Sequence, residues 1–458
     1  MNSQKFDLVV LGGGNATSLA IRAANAGWNV ALIEADLLGG TCPNRGCVPS
    51  KLLLGFAEVA TTIKHAARFY MDSSLDGIDV EKIRAETQSE TIDSTDEWLE
   101  EKLPESLTLF RGFGKFVGER QIEVNGEVLE GKKVLVATGT RPSVPEQFRD
   151  HPVWTSDDVF SMDSVPKSIA IIGGGYIACE LAWFFASMGV ETTMLVRSDQ
   201  LLSDEDAEIQ KLFREGFCQE VDVQFRTEVS DIRKTDSGFV LELEGGDTQR
   251  PAITIEKVLV TTGRESTADK INPEAGGFEL DGSGYVVTDG HLKTTVEGVY
   301  ALGDIAGKHF FTHSAAFEAT YLGDCWLDRE TAPIEYGPMP HAVFSYPEIA
   351  GVGKTEEELT SEGTKYLVGS VPYTSAAKGR AIKERYGLCK FLVAPDGTIL
   401  GCHIVGHHAS VLLHEVIPVM RWRNQIDSLT KMIHIHPALS EVVRNAARKA
   451  HAACKEDQ

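Results

Sequence analysis

One local pattern occurs twice and constrains this chain more than anything else in it. In each copy a short β-rich run ends in three glycines, leads into a helix-forming stretch and is followed by a second strand. The first copy runs Asp7-Leu-Val-Val-Leu11 into Gly12-Gly-Gly14, then a helix from Ala16 that Gly27 caps, then Asn29-Val-Ala-Leu-Ile33 closed by Glu34. The second runs Ser168-Ile-Ala-Ile-Ile172 into Gly173-Gly-Gly175, a helix to Gly189, and Glu191-Thr-Thr-Met-Leu-Val196. A glycine turn lets a pyrophosphate approach the backbone, where the unpaired N–H groups and positive dipole of the helix N-terminus hold it. Each copy is read as a βαβ dinucleotide unit. The chain is therefore expected to be α/β, with two Rossmann-like dinucleotide-binding domains and two nucleotide cofactors.

The copies differ where they select a ribose. Glu34 stands 22 residues after Gly12, close to the spacing at which an acid reaches a free 2′-hydroxyl, and suits the adenosine of FAD. The third glycine of the fingerprint is absent there, since Thr17 holds its place. In the second copy the motif is Gly173-x-Gly175-x-x-Ala178, and its second strand ends in Val196-Arg197-Ser198 with no carboxylate. Arginine and a hydroxyl can pair with a 2′-phosphate that a glutamate would repel. The second site is read as preferring NADPH, with NADH the alternative.

Between and after the units, two strands end in matching glycine turns: Val134-Leu-Val-Ala-Thr-Gly139 and Val258-Leu-Val-Thr-Thr-Gly263. They suit a chain threading between two nucleotide domains. Gly298-Val-Tyr-Ala-Leu-Gly-Asp304 is a further strand ending in an acid, placed for a ribityl hydroxyl. From about residue 337 short strands alternate with helices, as in an α+β module. The expected division is 1–150 and 276–336 for the FAD-binding domain, 151–275 for the NAD(P)-binding domain and 337–458 for a C-terminal dimerisation domain. Ala409–Met420 is expected to form one helix facing core or a partner.

Two stretches carry candidate chemistry. Gly39-Gly-Thr-Cys-Pro-Asn-Arg-Gly-Cys-Val-Pro-Ser-Lys51 holds two cysteines five residues apart, before a helix expected at Val48-Pro49-Ser50. A helix N-terminus and the nearby Lys51 favour the Cys47 thiolate. Of the other cysteines (179, 218, 325, 389, 402, 454) none has such spacing. A single close pair in a chain without a signal-peptide pattern points to catalytic redox chemistry rather than a disulfide framework. No second pair completes a zinc set, so no metal is expected. Near the C-terminus, His434-Ile-His-Pro-Ala-Leu-Ser-Glu441 places His436 and Glu441 within hydrogen-bonding reach, as an acid–base group and the carboxylate that orients it.

Composition excludes several classes of function. A net charge of −23 disfavours nucleic acid and anionic membranes as partners, and no apolar run approaches the roughly 20 residues of a membrane span. Met1–Asp7 leads straight into a strand, so cytoplasmic residence is the expectation.

With Cys-x4-Cys, two dinucleotide units, Gly-Asp and His-Pro-x3-Glu in this order, the chain resembles the flavin-dependent pyridine nucleotide–disulfide oxidoreductases over essentially its full length. The family includes dihydrolipoyl, glutathione, mycothione and mercuric enzymes. The resemblance implies a homodimer whose active site is shared between subunits. Cys47 would be the thiol that contacts flavin and forms the charge-transfer complex, Cys42 the interchange thiol, and His436 with Glu441 the acid–base pair from the other subunit. Lys51 and Glu180 would pair beside the flavin, and Tyr176 would gate the nicotinamide pocket. Gly12, Gly14, Glu34, Thr41, Lys51, Gly139 and Asp304 are the residues expected around FAD. Gly173, Gly175, Tyr176, Glu180, Arg197, Ser198 and Gly263 are those expected around NAD(P). Hydride would pass from NAD(P)H to flavin, electrons to the Cys42–Cys47 disulfide, and Cys42 would attack the substrate.

The favoured substrate class is a low-molecular-weight disulfide, reduced with NADPH. Dihydrolipoyl dehydrogenase, which usually has an acid at the Val196 position, is the alternative. Glutathione reductase is similar at Val196-Arg197, but its second arginine is replaced by Ser203. A catalytically inactive flavoprotein partner subunit is disfavoured by the intact Cys42, Cys47, His436 and Glu441. The residues themselves give no physical account of Pro43 and Arg45.

Overall fold

Leu8, Val9, Val10 and Leu11 are all at most 3% exposed, so the strand Gln4–Leu11 must be covered on both faces. In the computed structural model, which describes residues 3–246, 250–328 and 332–457, it lies inside a parallel sheet. Val30–Glu34 pairs on one side, with Leu107–Arg111 beyond it, and Glu127–Val136 pairs on the other. Val299–Ala301 returns from far along the chain to pair with Glu127–Val136. The helix Ala16–Asn25 follows the first strand, burying Ala16, Leu19, Ala20, Ala23 and Ala24. Alanines on that face let helix and sheet approach closely.

A second parallel sheet has the order Asp222–Phe225, Glu191–Val196, Ser168–Ile172, Lys257–Val260. A three-stranded meander, Thr227–Thr235, Gly238–Gly245 and Ala252–Ile255, follows its edge strand. Two short strands, Thr140–Pro142 and Arg264–Ser266, pair antiparallel where the chain enters and leaves this unit. They extend the two glycine-ended strands read as a crossing.

The third sheet is five-stranded and antiparallel, in the order Pro340–Val343, Ile349–Gly353, Ile399–Val405, Leu388–Val393, Leu367–Pro372. The helix Ser440–Asp457 buries Val442, Val443, Ala446, Ala447 and Ala450. Lys390, 1% exposed, ties this sheet to the second unit through Asp206 at 2.8 Å, and also pairs with Glu356. The stretch Ala409–Met420 is two helices, Ala409–Leu413 and Ile417–Trp422, rather than one. Pro418 lacks the N–H that would bond the His414 carbonyl, and its ring would collide with that carbonyl in a continuous helix.

Candidate active site

The redox turn is built by backbone constraint. Gly40 has φ +68°, and a Cβ there would lie 2.9 Å from Gly14 Cα. The turn therefore sits directly on the first dinucleotide glycines. It passes through the short helix Thr41–Arg45 and re-enters a helix at Cys47, one residue earlier than the proline spacing suggests, and that helix runs to Lys64. Pro43 and Arg45 acquire an explanation here. Pro43 occupies the space a Cβ on Gly39 would need, and Arg45 pairs with Asp36 at 2.5 Å, so both fasten the turn. Asn44 Nδ2 donates to the Leu38 and Gly40 carbonyls at 2.9 and 2.8 Å.

Cys47 is the first helical residue, and Thr312, whose Oγ1 lies 3.5 Å from Cys47 Sγ, is the first residue of the helix Thr312–Gly323. Two helix N-termini thus meet at one sulfur, and their dipoles favour negative charge there. The Cys42 thiol donates a hydrogen bond to Cys47. That bond, with help from Thr312 and the Lys51 charge and against partial burial, holds the Cys47 thiol down to about 6. The same bond, with burial, pushes the Cys42 thiol well above its ordinary range. Both cysteines are free thiols, so the pair is polarised: thiolate at Cys47, proton on Cys42.

Lys51 Nζ meets Glu180 Oε2 at 2.8 Å, and Glu180, 4% exposed, accepts from the Phe344 N–H at 2.9 Å through Oε1. Lys51 Nζ also lies 4.7 Å from the Phe344 ring centroid. This one cluster joins all three sheets' units beside the redox helix.

The remaining sequence-predicted residues line two cradles. Glu34 accepts from the Gly13 and Asp36 N–H groups at 2.7 and 2.8 Å, holding its carboxylate at the first glycine turn. Thr17 fills the missing third-glycine position by donating from Oγ1 to the Gly13 carbonyl at 2.8 Å, which satisfies its hydroxyl where it is buried. Asp304 accepts from Thr140 Oγ1 at 2.8 Å, and Arg264 donates to Thr140 in turn. Burial pushes the Asp304 carboxyl upward against the Thr140 bond. In the second unit Tyr176 begins the helix Tyr176–Ser187, Arg197 is exposed, and Ser198 Oγ donates to the Gln200 carbonyl at 2.7 Å.

His436 Nδ1 lies 3.0 Å from both Glu441 oxygens, and Arg444 donates to Glu441 Oε1 at 2.7 Å. The His436 bond, followed by that of Arg444, holds the Glu441 carboxyl below its usual range. With Nδ1 occupied, Nε2 is the nitrogen presented outward, and the His436 side chain is 71% exposed. Within one chain His436 bonds Glu441 and neither cysteine. Ile433 and Ile435 beside it are 98% and 78% exposed, and Trp422, which ends the helix Ile417–Trp422, is 81% exposed.

Sequence reasoning missed Thr312, Thr140, Arg264, Phe344 and Arg444. Arg444 was accessible in principle, lying three residues after Glu441 on a helix. Phe344 acts through its backbone N–H and leaves no sequence signal.

Residues 6–319 match the pyridine nucleotide-disulphide oxidoreductase family, and residues 339–447 match its dimerisation domain. Dihydrolipoyl dehydrogenases of Chlorobaculum parvum and Halobacterium salinarum are 30% and 31% identical over 460 residues. The first alignment covers 97% of each chain, the second 97% of this chain and 96% of the other. The HOCl-induced flavoprotein disulfide reductase RclA of Escherichia coli, in its Cu(II) complex, superposes with a TM-score of 0.86 at 24% identity. That superposition covers 98% of this chain and 99% of the other. The chain belongs to the pyridine nucleotide-disulphide oxidoreductases, flavoproteins that act on sulfur groups with FAD and NAD(P)H. The residues fit these groups. A Cβ at Gly139, Gly175 or Gly263 would meet nothing within 4 Å, which leaves open cradles. Asn44 Oδ1, against the first glycine turn, is a buried acceptor without a protein donor.

Proposed function

We propose that this chain is an NADPH-preferring reductase of a low-molecular-weight disulfide, working as a homodimer. The polarised Cys42–Cys47 pair is the observation that carries the disulfide chemistry. Bound FAD supplies two-electron transfer between the nicotinamide and this pair. Glu34, Asp304, Lys51 and the glycine turn Gly12–Gly14 hold and orient it, and Gly173, Gly175, Gly263 and Tyr176 line the nicotinamide nucleotide's path.

The protein's own residues do the rest. In the reduced pair His436 of the partner subunit, its Nδ1 fixed by Glu441, takes the Cys42 proton at Nε2. Cys42 attacks one sulfur of the substrate disulfide, forming a mixed disulfide, and His436 returns the proton to the departing thiolate. The Cys47 thiolate then attacks the Cys42 sulfur, which re-forms the Cys42–Cys47 disulfide and expels the second half of the substrate as a thiolate that takes a proton from solvent. The exposed apolar side chains Trp422, Ile433 and Ile435 suit burial in the dimer that this shared site requires.

The absence of an acid after Val196 and the exposed Arg197 favour NADPH. Oxidation of dihydrolipoamide with NAD is the second reading, favoured by the names of the relatives at 30–31% identity. Steady-state turnover with NADPH and NADH against oxidised low-molecular-weight thiols and lipoamide, in both directions, separates the two. Reduction of a small disulfide with kcat/KM at least tenfold higher for NADPH is expected. Faster turnover with NAD and dihydrolipoamide would refute the reading.

A further inference from the structure

Little in the backbone holds the loop that carries His436. It joins the helices Ile426–Lys431 and Ser440–Asp457. Among the described residues, no backbone N–H from Ile433 to His436 donates to a protein acceptor. Met432, Ile433, Ile435, His436 and Pro437 are all exposed. His434 is the exception: its side chain is 1% exposed, and its Nε2 stands 3.3 Å from Glu415 Oε2. We infer that His434 and Glu415 are positioning residues, whose contact fixes this loop so that His436 Nε2 meets Cys42 of the partner subunit. The inference rests on the shared acid–base site proposed above.

Glu415 lies at the junction between the helices Ala409–Leu413 and Ile417–Trp422. The break before Pro418 therefore leaves a carboxyl at a helix junction, facing the loop. Burial alone pushes that carboxyl up to about 7, and His434 is its ion-pair partner among the described residues. The other groups that face the ring are the Met432 carbonyl, with Arg444, Arg448 and Glu441 from the terminal helix. Burial, followed by the two arginine charges, holds His434 below its ordinary range against the pull of the Met432 carbonyl. A neutral ring whose Nδ1–H faces that carbonyl presents Nε2 as an acceptor, and a carboxyl that keeps its proton is the donor it needs.

The leverage follows from spacing. His434 stands two residues before His436 on a segment whose N–H groups are otherwise unbound, so a shift at one is passed to the other. A general base must come within about 2.6–3.2 Å of the proton it takes, and a misplacement of ~1 Å can cost ~100-fold. Glu441 thus orients the His436 ring, while Glu415, through His434, sets where the loop stands.

Iodoacetamide alkylation of Cys42 at pH 7 in the reduced, flavin-loaded dimer, read by peptide mapping, tests this without a substrate. His436→Ala is expected to slow the alkylation roughly 100-fold, because the ring no longer takes the Cys42 proton. Glu415→Ala is expected to slow it roughly 10-fold, and His434→Phe, which fills the same space without a nitrogen, should match it. Glu415→Gln should stay within about twofold of wild type, since its amide N–H donates to Nε2 as the protonated carboxyl does. Gel filtration checks that each variant remains a dimer. If His436→Ala slows Cys42 while Glu415→Ala and His434→Phe do not, the positioning role is overturned and the shared site stands. Slowing that accompanies loss of the dimer, or that Glu415→Gln shows in equal measure, also overturns it. If His436→Ala leaves Cys42 unchanged, the shared-site reading and this inference fall together.

Discussion

Exchanging Cys42 for serine or for alanine isolates the bond that polarises the redox pair. Serine retains an O–H donor toward Cys47, whereas alanine removes the donor and leaves Thr312 and Lys51 in place. The Cys42 bond is the largest influence holding the Cys47 thiol at about 6, ahead of Thr312 and the Lys51 charge. Hydrogen bonds to charged groups contribute about 1.5–3 kcal/mol. A thiol is a weak donor and Cys47 is exposed, so the low end applies, and ~1.4 kcal/mol equals one pH unit. The expected midpoint for Cys47 ionisation stays near 6 in Cys42→Ser and rises to about 7 or higher in Cys42→Ala. At pH 7 the thiolate fraction then falls from roughly nine-tenths to about half. The thiolate's ultraviolet absorbance follows the titration, and iodoacetamide labelling with peptide mapping confirms which sulfur ionises. Two variants titrating within about 0.3 units of each other would refute the role given to the Cys42 proton. So would a Cys42→Ser midpoint near the unperturbed ~8.5, which would mean that neither helix terminus nor Lys51 acts on this sulfur.

Glu441→Gln should lower kcat for disulfide reduction roughly 100-fold, because the amide neither fixes the His436 tautomer nor stabilises its protonated form; unchanged kcat would remove Glu441 from the mechanism. The native Glu441 carboxyl is held low, so its stabilising bonds exist above about pH 4.3 and are lost as pH falls through its depressed value. Gly40→Ala places a Cβ 2.9 Å from Gly14 Cα at φ +68°, and the turn must move off the first cradle. The flavin-to-protein absorbance ratio after gel filtration should drop, and a stoichiometric ratio would contradict the packing argument. Burial pushes the Glu415 carboxyl up to about 7. Its folded form keeps a proton that the unfolded form loses near pH 4.3, so stability declines as pH rises between those values and is level above. The decline is at most roughly 4 kcal/mol. Glu415→Gln should flatten the fall in Tm between about pH 5 and pH 8, and an equally steep fall would assign the effect to another group.

What the sequence made legible were features carried by local pattern. Glycine triplets with flanking apolar runs located both dinucleotide units, because strand, turn and helix there are consecutive. Cys42, Cys47, His436 and Glu441 were legible by spacing, and the structure brings each short-range pair together. Lys51 and Glu180 lie 129 residues apart, and only the resemblance to a family joined them. Contacts made through the backbone, or by a residue type with many uses, left no trace. Thr312 could have been any helix-starting threonine, and Phe344 acts through its N–H. The expectation of one helix at Ala409–Met420 failed because apolar periodicity was weighed above Pro418. Thr17 looked like a defect in the first fingerprint, yet its hydroxyl is satisfied by the Gly13 carbonyl, a compensation that spacing alone cannot reveal.

The two oxygens of Glu180 explain why the chain can afford separate units around one reaction. Oε2 takes Lys51 from the redox helix and Oε1 takes the Phe344 N–H from the third unit, while Glu180 itself stands one turn inside the helix that Tyr176 opens. The helix Tyr176–Ser187 is thereby pinned to the helix whose N-terminus bears Cys47. Removing either partner would leave a carboxylate that is 4% exposed without its compensating charge or donor, a change that costs more than the pair contributes when intact. The buried Lys390–Asp206 pair makes a second such tie between the second and third units. Movement of the second unit against the third would have to break both ties at once. The geometry therefore favours redox chemistry at Cys47 with the second and third units held in fixed register.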